Sequence, residues 1–332
     1  MQTPKISVVT PSLNQSQFLE ETILSVRGQE YPNLEHIIMD GGSTDGTLEI
    51  LEKYQNTYNL RWISEPDKGQ SDAINKGFRI AQGDIIGWVN SDDTYMPGAV
   101  IKAVEVFNTR PDIGWVYGNG YWVDSDGRVL CVYQGKPFDY KELVVNGMYF
   151  IPQPSLFFRR NLLNNIGFLD ENIHTTMDYD FFLRLGLRAR AEYIPAIMAT
   201  RRLHSGAKSI GIITSFYKDV LRALNKLFDT PALPGDIRKF ERQAYSKCYL
   251  VGGYHYFEGY QYSQARALFW QAIKRDPRPY RKEFYIALVL ILESWLKIRV
   301  IYPGLSRRDA IKRYYQNYGK VYVNWKGTTE EN

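Results

Sequence analysis

The sequence predicts an α/β chain in which a mostly parallel sheet carries helices on its faces, followed by a helical C-terminal region. Three observations lead there. Short apolar or β-branched runs alternate with stretches of helical periodicity through the first 200 or so residues, as strand–helix–strand units with right-handed crossovers do. The run Ile85-Ile86-Gly87-Trp88-Val89 shows no polar alternation, which reads as a strand buried on both faces. From about Ile210 onward the periodicity is helical only.

Composition sets the outer limits. The 332 residues allow a sizeable core and about two domains, and fractions of 44% hydrophobic and 23% charged exclude long disorder. The net charge of +5 is modest, with basic residues clustered at 275–281, 297–299 and 307–313. Such clusters commonly form a solvated helix face, and otherwise suit acidic lipid or nucleic acid; the chain as a whole is expected to have no nucleic-acid partner. Cys131 and Cys248 stand far apart without metal-ligand spacing, which excludes a cysteine zinc site and suits a reducing compartment. Residues 1–7 lack a signal-peptide apolar region, so a cytoplasmic location is expected, with a peripheral place on the inner face of the cell membrane allowed.

Taken in order, Ile6-Ser7-Val8-Val9-Thr10 is a β-branched strand stopped by Pro11, and Phe18, Thr22, Ile23 and Val26 form a helical stripe. Residues 35–40 make a second strand, ended by Gly41-Gly42-Ser43-Thr44-Asp45-Gly46, and a helix carrying Leu48, Leu51 and Tyr54 follows with Asp45 or Thr47 as its cap. Residues 61–64 give a third strand, 69–83 a helix and 85–89 the fourth strand. A helix over 96–107, a strand over 113–117, a hairpin over 121–132 turning at Asp124-Ser125-Asp126-Gly127, and a strand at 156–158 come next. The stretch Met177-Asp178-Tyr179-Asp180 opens a helix with carboxylates in its first turn, and a strand over 191–199 leads to Arg201-Arg202-Leu203-His204.

Ligands in parallel α/β sheets sit beyond the carboxyl ends of the strands. The polar clusters there are Thr10-Pro11, Asp40-Gly41-Gly42, Glu65-Pro66-Asp67 and Asn90-Ser91-Asp92-Asp93. Adjacent Asp92 and Asp93 repel each other unless a cation or a shared proton compensates. Gly41 and Gly42 permit close backbone approach, although by themselves they suit a tight turn with a helix cap; the pattern is neither a Walker A loop nor a dinucleotide fingerprint.

Together these pieces resemble glycosyltransferase family 2, the inverting nucleotide-sugar transferases of the GT-A fold. The resemblance is carried, in family order over roughly the first 205 residues, by Val8-Val9-Thr10-Pro11 with Asn14, by Asp40-Gly41-Gly42-Ser43-Thr44-Asp45-Gly46-Thr47, by Asp67-Lys68-Gly69 with Asp72-Ala73-Ile74-Asn75-Lys76-Gly77, by Asn90-Ser91-Asp92-Asp93, and by Asp178-Tyr179-Asp180 with Leu183-Arg184-Leu185. It implies a GT-A type nucleotide-binding domain at residues 1–209. It further implies that Thr10, Pro11 and Asp40 line the base pocket, that Asp72 contacts nucleotide or sugar, and that Asn14, Gly42, Asp67, Asn90 and Ser91 belong to the same donor site. Asp92 and Asp93 take the place of the metal-binding motif, with Asp93 the direct ligand, and His204 takes that of a late histidine near metal or diphosphate. Asp178 matches the general base, with Met177 where the family often has Glu. The implied cofactor is Mg²⁺ or Mn²⁺, the donor a UDP-, GDP- or dTDP-sugar, and the acceptor a glycan or lipid-linked molecule in surface polysaccharide or glycoconjugate synthesis. Oxygen ligation of a hard cation suits a diphosphate leaving group.

Residues 210–332 are expected to be helical. Gly253, Tyr256, Ala265, Phe269, Ala272 and Pro277 fall at the spacings of a tetratricopeptide helix pair over 246–279, and a single such pair needs neighbours to cover it. The apolar segment 283–302 is interrupted by Glu293 and too short to span a bilayer; a buried core helix and an amphipathic helix on a membrane surface are the two readings. Two rival functions are a sugar-nucleotide nucleotidyltransferase, against which Pro11-Ser12-Leu13-Asn14 replaces the expected glycine-rich basic loop, and a non-catalytic scaffold, which has no use for Asp40, Asp92, Asp93 and Asp178 together.

Overall fold

The computed structural model describes residues 3–204, 213–231, 233–278 and 282–296. In order the elements are β1 (Ile6–Ser12), α1 (Leu19–Arg27), β2 (Leu34–Asp40), α2 (Thr47–Tyr54), β3 (Leu60–Ser64), α3 (Gln70–Ile80), β4 (Ile85–Trp88), β5 (Thr94–Tyr95), α4 (Ala99–Thr109), β6 (Ile113–Val123), β7 (Val129–Tyr133), α5 (Tyr140–Asn146), β8 (Phe157–Arg159), α6 (Leu163–Ile166), α7 (Met177–Arg188) and β9 (Arg190–Arg202). The helical part contains α8 (Ile213–Phe228), α9 (Gly235–Arg238), α10 (Glu241–Glu258), α11 (Tyr262–Arg275) and α12 (Lys282–Leu296).

One sheet runs β3-β2-β1-β4-β8-β6-β9-β5, with β7 attached to β6. The expected parallel winding occupies its first half, where β3, β2, β1 and β4 pair in parallel. Beyond β4 the sheet is mixed: β8 lies antiparallel to β4 and β6, β9 is parallel to β6, and β5 is antiparallel to β9. The two-residue β5 is too short to leave a pattern in sequence, and the stretch expected to begin a helix at residue 96 becomes helical only at Ala99.

The central strands are buried throughout, as their unalternating sequences require: Ile6, Val8, Val9, Ile86 and Trp88 are all at most 1% exposed. Gly87 sits where any side chain would strike the Tyr95 hydroxyl and the Phe157 ring, so β4 and β8 can approach closely only with glycine there. The helical region does not stand apart. Ala223, Leu224, Leu227 and Phe228 of α8 and Ala244, Tyr245 and Cys248 of α10 share one buried cluster with Trp88, Phe158, Tyr179 and Phe181.

Where a helix pair is expected over 246–279, the chain has the helices α10 (from Glu241) and α11 (to Arg275), and Gly253 admits the Phe269 ring between them. The pair's neighbours are α8 on one side and α12 on the other, rather than further repeats. Helix α12 buries Ala287, Leu290 and Ile291 against Phe269 and Ala272. Of the segment 283–302, residues 297–302 lie outside the described residues, as do the basic stretches 297–299 and 307–313.

Candidate active site

The carboxyl ends of β1 and β4, the start of α7, the end of β9 and the inner faces of α8 and α10 enclose a cleft of about 650 Å³. Its lining includes Pro11, Asp67, Asn90, Ser91, Asp92, Asp93, Asp178 and His204 from the expected site, joined by Arg201, Arg202, Lys247 and His255.

The acidic turn is built from its backbone outward. After Trp88 the chain leaves the sheet, and the Thr22 hydroxyl of α1 donates to the carbonyls of Ser91 (3.0 Å) and Asp93 (2.7 Å). Asn90 lies at the centre of a side-chain network: its Oδ1 accepts from Trp88 Nε1 (3.1 Å) and Gln70 Nε2 (2.9 Å), and its Nδ2 donates to Asp93 Oδ2 (3.0 Å) and Gln153 Oε1 (3.1 Å). The other Asp93 oxygen accepts from the Arg202 backbone N–H at 2.9 Å. Arg202 itself is buried, donating through Nε to the Asp92 carbonyl (3.0 Å), pairing with Glu21 and lying over the Phe18 ring. The turn is therefore clamped by α1 on one side and β9 on the other.

The two carboxylates are not equivalent. Asp93 is 2% exposed, and burial together with the adjacent Asp92 carboxylate pushes its carboxyl well above the usual range. Asp92 is the more open of the two, its side chain 23% exposed, and its Oδ2 lies 3.0 Å from His204 Nε2. His204 rests on Phe18, ring centroids 4.6 Å apart.

A buried carboxylate with a second one beside it is a donor set that suits a hard divalent cation. Among the described residues no three His, Cys, Asp or Glu side chains converge as a metal-binding group. The expected trio of Asp92, Asp93 and His204 thus does not form a protein-only cage, because the His204 ring nitrogen is directed to the Asp92 oxygen. One or two carboxylates completed by phosphate oxygens is the arrangement that Mg²⁺ commonly takes, and each Asp93 oxygen retains acceptor capacity for it. The Ser205 to Ser209 stretch that follows His204 lies outside the described residues.

Several residues expected at the donor surface stand behind it instead. Thr10 is fully buried, its hydroxyl 3.0 Å from His36 Nε2, and His36 in turn meets the Tyr58 hydroxyl at 2.7 Å. Burial drives that imidazole down to about 3, so it is neutral. Asp40 is 2% exposed, and its Oδ2 accepts from the Gly42 and Ser43 amides (3.0 and 2.9 Å) and the Ser64 hydroxyl (2.7 Å). It holds the Gly41–Gly42 loop in shape, with Gly42 at φ 87°, rather than presenting an edge to a base. Asn14, itself at φ 52°, takes the Thr44 amide on its Oδ1 at 2.9 Å, bracing the same loop. Asp72 accepts from the Lys68 amide at 3.0 Å and lies 3.4 Å from Lys76 Nζ; burial opposes ionisation, but the Lys68 amide and Lys76 outweigh it and lower the carboxyl. Asp67, in contrast, does reach the cleft, and its Oδ1 accepts from the Gly69 amide at 2.7 Å.

Asp178, second residue of α7, opens onto the cleft while burial pushes its carboxyl up to about 6, against the lowering influence of Arg201. Just before it, Asp219 of α8 accepts from the amides of His174 (3.0 Å) and Thr175 (2.8 Å) and from the Thr175 hydroxyl (2.8 Å). Lys226 of α8 bridges Asp170 (2.7 Å) and buried Asp180 (2.9 Å). The sequence offered no signal for these roles of Thr22, Gln153, Arg202, Asp219 or Lys226. Each partner lies 44 or more residues away, beyond the reach of any local pattern.

Fold and cleft together define a glycosyltransferase of GT-A type. The chain belongs to glycosyl transferase family 2, whose model matches residues 7–167. An uncharacterised glycosyltransferase of Mycobacterium tuberculosis is 33% identical over 186 residues, covering 55% of this chain and 70% of that protein. Among solved structures, S. aureus TarS 1–349 in complex with UDP-GlcNAc superposes with a TM-score of 0.65 at 18% identity, covering 94% of this chain and 92% of that one; the chain spans 54% of the longer TarS chain. The mannosyltransferase PcManGT from Pyrobaculum calidifontis, in complex with GDP-Man and Mn²⁺, gives a TM-score of 0.59 at 18% identity, covering 95% and 84%.

Proposed function

We propose that this enzyme moves a sugar from a nucleoside diphosphate to a hydroxyl of a glycan or lipid-linked acceptor, with inversion at the anomeric carbon and with Mg²⁺ or Mn²⁺. The observation that carries this reading is that one cleft receives both the Asn90–Asp93 turn that follows β4 and Asp178 at the start of α7. A leaving diphosphate and an attacking hydroxyl need those two kinds of carboxylate separately. The nucleotide sugars and the Mn²⁺ bound by the two structural neighbours support the donor class and the metal.

In this reading Asp92 and Asp93 hold the cation, which supplies neutralising charge for the departing diphosphate. Asn90 and the Arg202 amide keep Asp93 in place, and His204 orients Asp92. Pro11 and Asp67 border the donor side, while Asp40, Asn14 and Gly42 shape the loop beneath it. Asp178 takes the proton of the acceptor hydroxyl as that oxygen attacks the face of C1 opposite the leaving group. Tyr217, Lys247, Val251 and His255, which α8 and α10 contribute to the lining, form the acceptor side. Aromatic rings of that kind suit the apolar faces of sugars.

Incubating the protein with a panel of UDP-, GDP- and dTDP-sugars, with and without Mn²⁺, tests the proposal. Metal-dependent release of the nucleoside diphosphate is expected from at least one donor. Failure to bind or turn over any of them would overturn the reading.

A further inference from the structure

Helix α12 is apolar on two faces, and folding uses only one. Ala287, Leu290 and Ile291 pack on α11, while Tyr285, Leu288, Val289, Leu292, Trp295 and Leu296 are between 37% and 67% exposed. Every exposed position from residue 284 to 296 is one of these six, and at 3.6 residues per turn they fall within an arc of about 120°. The one acid of this stretch, Glu293, is 3% exposed and lies off that arc. An apolar strip of this density marks an interaction surface rather than the scattered exposure of ordinary surfaces.

Its surroundings select the partner. Arg266 of α11 lies over the Trp295 ring, 4.4 Å from its centroid, and donates to the Ser294 carbonyl at 3.1 Å, so a guanidinium is fixed at one end of the strip. The sequence adds Arg281 just before the helix, Lys282 at its first position, and Lys297 and Arg299 after it. Trp295 and Tyr285 stand near opposite ends, as amphipathic aromatics do at a lipid boundary. Fifteen residues make a helix of roughly 22 Å, short of the ~30 Å hydrocarbon core, and among the described residues no helix is long and apolar enough to cross a membrane. We infer that the Tyr285–Leu296 face of α12 is a docking surface for an anionic lipid bilayer, on which the helix lies flat.

Both native cysteines are free and buried, so a thiol introduced by Leu292→Cys can carry a polarity-sensitive dye in the full-length protein. The dye is expected to shift to the blue on addition of vesicles containing phosphatidylglycerol, and to respond much less to pure phosphatidylcholine. Leu292→Glu combined with Trp295→Ala should reduce partition onto the anionic vesicles by about tenfold or more, with thermal unfolding and donor hydrolysis unchanged. Three results would each overturn the inference: no dye response to either vesicle, equal partition of the double variant and the wild type, or a dye already in a dry environment without vesicles because the remaining chain or a second copy covers the strip. Donor hydrolysis in the same samples keeps this outcome separate from the fate of the catalytic proposal.

Discussion

Asp178 is held where ionisation is costly, and this gives a proton-dependent signature. Burial raises its carboxyl from 3.8 to about 6, and a base must be ionised to act, so kcat/KM is expected to fall as pH drops through about 6. A pH profile without a limb in that region would remove the assignment. Asp178→Asn should bind donor normally while transfer falls roughly 10²–10⁴-fold, measured by donor titration beside steady-state kinetics. The same burial has an opposite effect on folding. A carboxyl with a raised folded-state pKa favours the fold below its unfolded value and loses that contribution as pH rises through about 6, so the Asn variant should melt at a slightly higher temperature than wild type at neutral pH. Asp93 differs because its neighbour and its burial act together against its charge. Asp93→Ala should abolish metal-dependent donor binding; calorimetric titration showing unchanged affinity in Mn²⁺ would reject the metal role.

At the scale of elements, the link between α8 and the loop before α7 is the one with most consequence for catalysis. Asp219 is 3% exposed and satisfies two amides and a hydroxyl in residues 174–175, which border the cleft just ahead of Asp178. Removing it leaves part-buried donors without this partner, which costs up to about 1–3 kcal/mol. Asp219→Ala is therefore expected to lower stability in denaturant titrations by that amount and to raise KM for the acceptor more than for the donor. Elements were also where sequence reasoning was strongest. The runs at 6–10 and 85–89 mark β1 and β4, whereas the cap position of α2 falls to Gly46, with Asp45 one residue before it accepting from the Thr47 amide at 3.2 Å. What local patterns do not contain is orientation within a cluster. Thr10 and Asp40 sit in the right motifs, yet their side chains turn into the sheet and the loop, because a buried His36 partners Thr10, and two loop amides and the Ser64 hydroxyl of β3 partner Asp40. Nor does periodicity show that β8 inserts antiparallel between β4 and β6.

For the whole molecule, the division between residues 1–209 and 210–332 is a change of sequence character rather than a seam in the core. Leu224, Leu227, Phe228 and Cys248 pack in the cluster that holds Tyr179 and Phe181. Ending the chain at residue 209 would expose that surface, at a cost on the order of 2–5 kcal/mol for each large side chain left unpacked. The truncated protein is expected to aggregate or to lack a cooperative thermal transition, whereas the full chain melts these parts together. A truncated form that melts cooperatively near the wild-type temperature would show the two parts to be independent.

The family match ends at residue 167, and the contacts that grip the helices begin almost at once: the Asp170 and Asp180 carboxylates on Lys226, and the His174 and Thr175 amides on Asp219. The loop 170–180 and α8 are fitted to each other through these contacts. A chimera designed to change acceptor preference has to exchange that loop and that helix as one piece, since swapping the helices alone would strand Asp180 without Lys226 and two amides without a carboxylate.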